Sequence, residues 1–230
     1  MKVDEIWRYP VKTMAGEKVQ QAWLGQLGIE GDRVLHVEDA TNHVVTSRSH
    51  PRFLGLKGSL GPHGEVSVDG QPWESLEVAA KVVEIAGAGA RLVHFEGAER
   101  FDVLPLLIAT DGAIGAFGHD HRRLRPNIVI GGVEKLAERD WPGSCLKIGK
   151  VVVGVQDLRT RCVMTSYDPD TLVQDMEITR SIFHRFGGKL ALNCFVIEAG
   201  EITVGDKVQL LRGRACAESP DLTHPADLNL

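Results

Sequence analysis

The residues with the clearest chemical potential lie together at Arg161-Cys162-Val163-Met164-Thr165, preceded by Leu158-Arg159-Thr160 and followed by Tyr167-Asp168-Pro169-Asp170-Thr171. A cysteine in a short apolar, β-branched run, between an arginine-bearing approach and a proline-containing acidic turn, marks a strand end entering a loop. Such a place holds a side chain still and leaves it reachable. Guanidinium groups beside a cysteine favour the thiolate, the form that attacks electrophiles or binds soft metals. A lone cysteine in such a run is more commonly a buried core residue, and these residues alone leave both readings open.

Other candidates are scattered along the chain. Lys12 and Thr13 fall on a loop between two extended segments and beside Gly16. A loop lysine is usually a solvated charge, but next to a hydroxyl and a flexible glycine it can contact a phosphate. Arg48 ends the second strand of an expected hairpin. Arg125 precedes Pro126, which forces it out of helical geometry, and its planar fork can meet a phosphate or carboxylate bidentately. His119 and His121 can share a metal, although no third ligand accompanies them at suitable spacing. Asp102 can orient a site residue or cap a turn.

The composition narrows the function classes. A chain of 230 residues with 43% hydrophobic and 25% charged content can bury a real core. Its formal net charge of -5 argues against a general binder of nucleic acid or anionic membrane. No apolar run reaches the ~18 residues of a membrane span, and Met1 to Glu5 opens into a strand-like segment, so a cytoplasmic location is expected. The four cysteines, Cys145, Cys162, Cys194 and Cys216, form no CxxC pair, and reduced thiols are expected. Dinucleotide, P-loop and nucleophile-elbow motifs are missing.

The elements that must position these residues are mostly strands. Ile6 to Tyr9, Val19 to Leu24, Val34 to Val37, Val44 to Arg48, Arg52 to Leu56, Glu65 to Val68 and Trp73 to Val78 all show β patterning. The first ~95 residues are therefore expected to be antiparallel sheet without a substantial helix. Glycine-rich breaks at Gly87 to Ala90 and near Gly97 suggest two halves packed together. Later, Thr110 caps a short helix, Ile128 to Ile130 form a strand, and Leu146 to Gln156 a hairpin around Gly149-Lys150. Asp175 caps a helix that carries Ile178, Ile182, Phe183 and Phe186 on one face and stops at Gly187-Gly188. The segments from Leu190, Ile202 and Val208 close a sheet, and the tail from Ala217 is polar and proline-bearing.

Taken in order, these residues resemble the MOSC family, named for the C-terminal domain of molybdenum cofactor sulfurase. The resemblance covers nearly the whole chain: Tyr9-Pro10-Val11-Lys12-Thr13, Gly31-Asp32-Arg33, Val45-Thr46-Ser47-Arg48 and Pro51-Arg52-Phe53-Leu54 in the first half; Phe101-Asp102, Leu124-Arg125-Pro126-Asn127, Asp140-Trp141, Arg161-Cys162, Asp168-Pro169-Asp170-Thr171 and Gly205-Asp206 in the second. It implies a mainly β (α+β), antiparallel, barrel-like fold with a few short helices, divided as 1–96, 97–214 and a loose tail 215–230. It also implies a pterin-type molybdenum cofactor between the halves, with Cys162 as the sulfur ligand to molybdenum. Lys12, Arg48 and Arg125 are then arms that converge on a terminal phosphate, with Arg161 nearby, and Thr13, Asn127 and Thr160 add neutral hydrogen bonds.

Relatives of this type, among them the bacterial relatives of the mitochondrial amidoxime reducing component, reduce N-hydroxylated compounds such as amidoximes, hydroxylamines and hydroxylated bases. The resemblance thus implies a small N-hydroxylated substrate and, without a ferredoxin-like cysteine cluster, a separate electron-donor protein. A non-catalytic carrier of sulfur or cofactor, using a Cys162 persulfide or thiolate, is the alternative. The desulfurase half of the sulfurase is absent, so no pyridoxal phosphate is expected. Three departures stand out: Thr13 in place of a serine, Leu172 where a glycine is common, and Asn193-Cys194 where an aromatic residue often lies near the cofactor.

Overall fold

The computed structural model describes residues 1–95 and 97–212. Its centre is an eight-stranded sheet in the spatial order Val208–Leu211, Cys145–Ile148, Val151–Thr160, Lys189–Glu198, Leu106–Thr110, Ile128–Gly131, Lys2–Arg8 and Glu17–Val19. Every neighbour pairs antiparallel except Leu106–Thr110 with Ile128–Gly131, which run parallel. A parallel pair needs a crossover, and helix α2 (Asp111–Phe117) lies within it. Thr110 caps α2 as expected, its Oγ1 accepting from the Ala113 N–H at 3.1 Å.

The sheet curls strongly. The Val3 N–H donates to the Asp206 carbonyl at 2.9 Å, the Gly205 N–H to the Val3 carbonyl at 2.7 Å, and the Val208 N–H to the Met1 carbonyl at 3.0 Å. The strand second from one edge thus meets the turn feeding the opposite edge, through a single bridge between Lys2 and Lys207. The result is barrel-like without a ladder that closes it. Inside lie Val3, Ile6, Ile108, Ile130, Leu146, Val153, Leu192 and Val196, as alternation in half-buried strands demands.

The remaining strands form three small sheets. One joins Arg91–His94, Leu35–Glu38 and Val44–Val45; one joins Gly200–Thr203, Gln21–Gly25 and Gly28–Ile29; the third is Gly58–Leu60, Val66–Val68 and Gln71–Pro72. A second core, with Val11, Met14, Leu35, Phe53, Val68, Val78 and Val82, fills the N-terminal half.

Three local expectations fail there. Residues Leu76–Ala86 form helix α1, where extended structure was expected through Val78. Ser75 Oγ accepts from the Val78 N–H at 3.3 Å and supplies the N-cap. Val78 and Val82, one turn apart, bury the inner face. Pro51–Gly55 is a 3-10 turn, not a strand, because Pro51 suits a first helical turn and Phe53 must point into the core. The Val44–Val45 strand also ends before Arg48, which sits in the following turn. Helix α3 (Met176–Phe186) matches its expectation, with Asp175 at the cap and Gly187 in the left-handed region at the stop. Its outer residue is Phe183, 55% exposed.

Cys162 and Cys194 are free thiols, as expected, whereas Cys145 is disulfide-bonded. Cys216 and the expected loose tail 215–230 lie outside the described residues.

One buried charge stands out. Glu138 is fully buried; its Oε2 accepts from Thr110 Oγ1 at 3.2 Å, while Oε1 has no partner. Burial pushes its pKa up from the usual glutamate range. A carboxyl whose pKa is raised by folding adds stability below its unfolded value and loses it as the pH rises through the folded one. Glu138→Gln should therefore gain stability relative to the wild type between pH 5 and pH 8. Urea midpoints at both pH values check this; a constant difference would contradict it.

Candidate functional site

Lys12, Thr13, Arg48, Arg125, Asn127, Thr160, Arg161 and Cys162, the eight residues expected at a cofactor site, line one cleft between the N-terminal half and the curled sheet. The cleft holds about 900 Å³ of space, its open mouth included.

Cys162 arrives at the end of the strand Val151–Thr160. That strand is irregular against Lys189–Glu198, with shifts of register between Val155 and Asp157 and between Leu158 and Thr160. Such bulges twist a strand and re-aim its side chains. Cys162 then takes the position before a short 3-10 turn, Val163–Ser166. Its carbonyl accepts from the Thr165 N–H at 3.1 Å and from Thr165 Oγ1 at 2.9 Å. The backbone is thus pinned while the thiol stays free and exposed. The buried-core reading of this cysteine is wrong; Cys194 is the buried one, and burial raises its pKa.

The acidic turn after Cys162 is held from outside. Asp168 Oδ1 accepts from the N–H groups of Asp170 and Thr171 at 3.1 and 2.9 Å, forming an Asx-type turn. Arg123 reaches Asp168 Oδ2 at 2.8 Å, and Arg122 grips both oxygens of Asp170 at 2.9 and 2.6 Å. Arg122 and Arg123, in the most basic stretch of the chain, therefore anchor the cysteine loop. Leu172, where relatives of this type commonly have glycine, still takes φ 60, and its side chain packs against Gly55 from the other half.

Arg125 is set differently. The 3-10 turn His121–Leu124 ends at Arg125 with φ 53 and ψ 51, so the residue leaves helical geometry as Pro126 demands. Its guanidinium stacks over Tyr9 at 4.3 Å, and Tyr9 donates its hydroxyl to the Pro126 carbonyl at 3.2 Å. Among the described residues no carboxylate or carbonyl takes the Arg125 N–H groups. Burial pulls its pKa down to about 10 and pushes that of Tyr9 up to about 12, so Arg125 is still charged at neutral pH.

Across the cleft, three cations share one carboxylate. Asp102 takes Lys12 at 3.0 Å, Arg48 at 3.2 Å and Arg159 at 3.7 Å. Burial alone would raise the Asp102 pKa, but Lys12, Arg48 and Arg159 together hold it below the usual range. Lys12 also donates to the Arg100 carbonyl at 3.0 Å. Thr13 follows with φ 80, a costly conformation for a β-branched residue, and its buried Oγ1 has no partner. Arg161, 8% exposed, donates to the Leu124 carbonyl at 2.8 Å, and its Nε is unpartnered. Burial and the neighbouring Arg159 lower its pKa to about 10.

Not every expected residue serves in the same way. Asn127 accepts from the Leu107 N–H at 3.1 Å and donates to the Trp7 carbonyl at 3.4 Å, so its carboxamide fastens two strands behind the cleft. Thr160 is the exposed last residue of its strand and is free to face a ligand. The candidate metal pair also falls away: His121 bonds Glu5 at 2.8 Å, His119 packs edge-on against Phe117, and no three-residue ligand cluster exists among the described residues. Arg33, Arg159 and Asn193 also line the cleft. The sequence named all three without a site role: Arg159 and Asn193 meet partners distant in sequence, and Arg33, paired with the adjacent Asp32, also stacks on Tyr9 and Phe101.

Comparison with known proteins gives the family. Residues 1–103 match the model of the MOSC N-terminal beta barrel domain, and residues 109–209 match that of the MOSC domain. The chain belongs to the MOSC family. Among MOSC relatives, human mitochondrial amidoxime-reducing component 1 is 27% identical, with 91% of this chain and 82% of the relative covered. Mitochondrial amidoxime reducing component 2 of Macaca fascicularis is 25% identical over 75% and 68%. The crystal structure of the YUAD protein from Bacillus subtilis shares the fold at a TM-score of 0.52, with 13% identity, 92% of this chain and 96% of that one covered. No helix among the described residues of this MOSC protein is long and apolar enough to cross a membrane.

The strained Thr13 allows a direct check. Thr13→Gly should leave the free protein as stable or up to about 1 kcal/mol more stable, because glycine adopts positive φ without a Cβ clash. Thermal unfolding of the two proteins measures it; a large loss would show that the threonine side chain is needed for packing.

Proposed function

We propose that this MOSC protein binds a molybdopterin-type cofactor in the cleft, with Cys162 as the protein ligand to molybdenum, and reduces N-hydroxylated compounds. The observation that carries the reading is Thr13. A buried hydroxyl without a partner, on a backbone held at φ 80 beside Lys12, is a cost with no return inside the protein. The unpaired Arg125 and the orphan Nε of Arg161 fit the same explanation. These donors surround an exposed thiol, and a soft sulfur ligand with hydrogen-bonding cations suits an anionic cofactor that carries a soft metal.

In this reading Lys12, Arg48, Arg125 and Thr13 would hold the terminal phosphate, with Arg161 nearby, and Thr160 would add a neutral hydrogen bond. Cys162 fixes the metal beside them. When bound, the cofactor supplies the two-electron reduction by which an N–OH group, with two electrons and two protons, becomes N–H and water. The protein's part is to bind, orient and exclude water. Electrons come from a separate donor protein. The names of the curated relatives support amidoximes as a first substrate to try.

Molybdenum and pterin should co-purify with the protein from a cofactor-producing host, and an amidoxime should be converted to its amidine with a chemical reductant. Cys162→Ala should remove the metal; metal that stays bound would refute the ligand assignment. Molybdenum-free protein with an extra sulfur on Cys162, seen by intact mass, would instead favour the sulfur carrier. Lys12→Ala should weaken cofactor retention by about 2–3 kcal/mol, as loss of a mostly buried charged donor does. Arg48→Ala should weaken it by about 1 kcal/mol, since that side chain is 54% exposed.

A further inference from the structure

We infer that Arg159 is an anion receptor for the substrate, so that this site prefers N-hydroxylated compounds bearing a carboxylate. The inference deepens the proposed function and rests on it. Arg159 lies three residues before Cys162 and lines the same cleft. Its side chain is only 21% exposed, and burial lowers its pKa. A guanidinium so enclosed normally finds partners for its N–H groups. Here it finds poor ones.

Its Nη2 is 3.7 Å from Asp102, too far for a hydrogen bond, and that carboxylate is already engaged by Lys12 at 3.0 Å and Arg48 at 3.2 Å. Its Nη1 is 3.4 Å from Asn193 Oδ1. No other group among the described residues accepts from it. Arg123, in the same cleft, instead has Asp168 at 2.8 Å and the Ser166 carbonyl at 3.1 Å.

Arg159 is nonetheless supported from behind. Asp157 and Asn193 face each other in register across two strands, and the Asn193 Nδ2 donates to Asp157 Oδ1 at 2.6 Å. That bond orients the Asn193 carboxamide so that its oxygen faces Arg159. Asn193 is therefore a positioning residue. A planar, supported fork without a good acceptor, in a solvent-connected cleft beside the proposed reactive sulfur, matches the bidentate geometry of a carboxylate.

The test uses the full chain loaded with cofactor, with benzamidoxime and its 4-carboxylate derivative as substrates. The wild type should show a KM for the carboxylate about tenfold or more below that for the neutral compound. Arg159→Met should raise the carboxylate KM by about 10- to 100-fold, change kcat much less, and raise the KM of the neutral compound by a much smaller factor. Asn193→Ala, which keeps the charge and loosens it, should raise the carboxylate KM by a smaller factor, and Arg159→Lys should recover part of the loss.

Calorimetric titration with benzoate gives a readout independent of turnover, with wild-type binding lost in Arg159→Met. If neither amidoxime is reduced, the functional reading fails while benzoate binding still decides the role of Arg159. Equal benzoate affinity in wild type and Arg159→Met overturns the inference. So does loss of pterin from Arg159→Met as large as that from Lys12→Ala, which would assign Arg159 to the cofactor.

Discussion

Like charges repel, and this cleft gathers seven cationic side chains around one lining carboxylate. The rest of the structure is arranged to tolerate that. Asp32, fully buried, pairs with Arg33; Asp168 pairs with Arg123; Asp102 stands among Lys12, Arg48 and Arg159. Tyr9 lies under both Arg33 and Arg125, at 5.4 and 4.3 Å, and its ring face tempers two more positive groups. A protein of net charge -5 can thus present a strongly positive interior face. The excess that remains unpaired is the driving force for an anionic ligand.

The same crowding explains where the backbone is strained. Thr13, Arg33 and Arg125 all line the cleft and all have positive φ without being glycine. Each such residue costs of order 1 kcal/mol or more, and surrounding structure must enforce it. The enforcement is visible: the Tyr9 N–H bonds buried Asp32 at 2.7 Å, the Arg33 N–H bonds the Tyr9 carbonyl at 2.7 Å, and the Tyr9 hydroxyl bonds Pro126. One tyrosine therefore ties two of the strained segments, those of Arg33 and Arg125, together. Removing it would disturb them jointly.

What the sequence revealed depended on how local the cause was. Arg125 announced its geometry through Pro126, Cys162 through the strand-to-turn change around it, and α3 through Asp175, its apolar spacing and two glycines. Helix α1 was hidden because Leu76 and Val78 alternate about Glu77 like a strand that continues from Trp73, which masked the Ser75 cap. Asn127 looked like a donor to a ligand, yet the strands on both sides needed its amide first. Arg159 depended on Asn193, 34 residues away, through a register that bulges set and no local pattern records.

The placement of the first strand has a consequence for how the chain comes to be folded. Lys2–Arg8 pairs within its own half only with the short strand Glu17–Val19; its other edge waits for Ile128–Gly131, and its start waits for residues 205 to 208. These residues are thus made well before their longer-range neighbours, a non-local closure that slows folding and leaves one edge of an apolar strand open during synthesis. The small sheets from Leu35 to His94 can form ahead of it. Assembly should therefore begin in the small sheets, with Lys2–Arg8 joining Ile128–Gly131 and the 205–208 turn last.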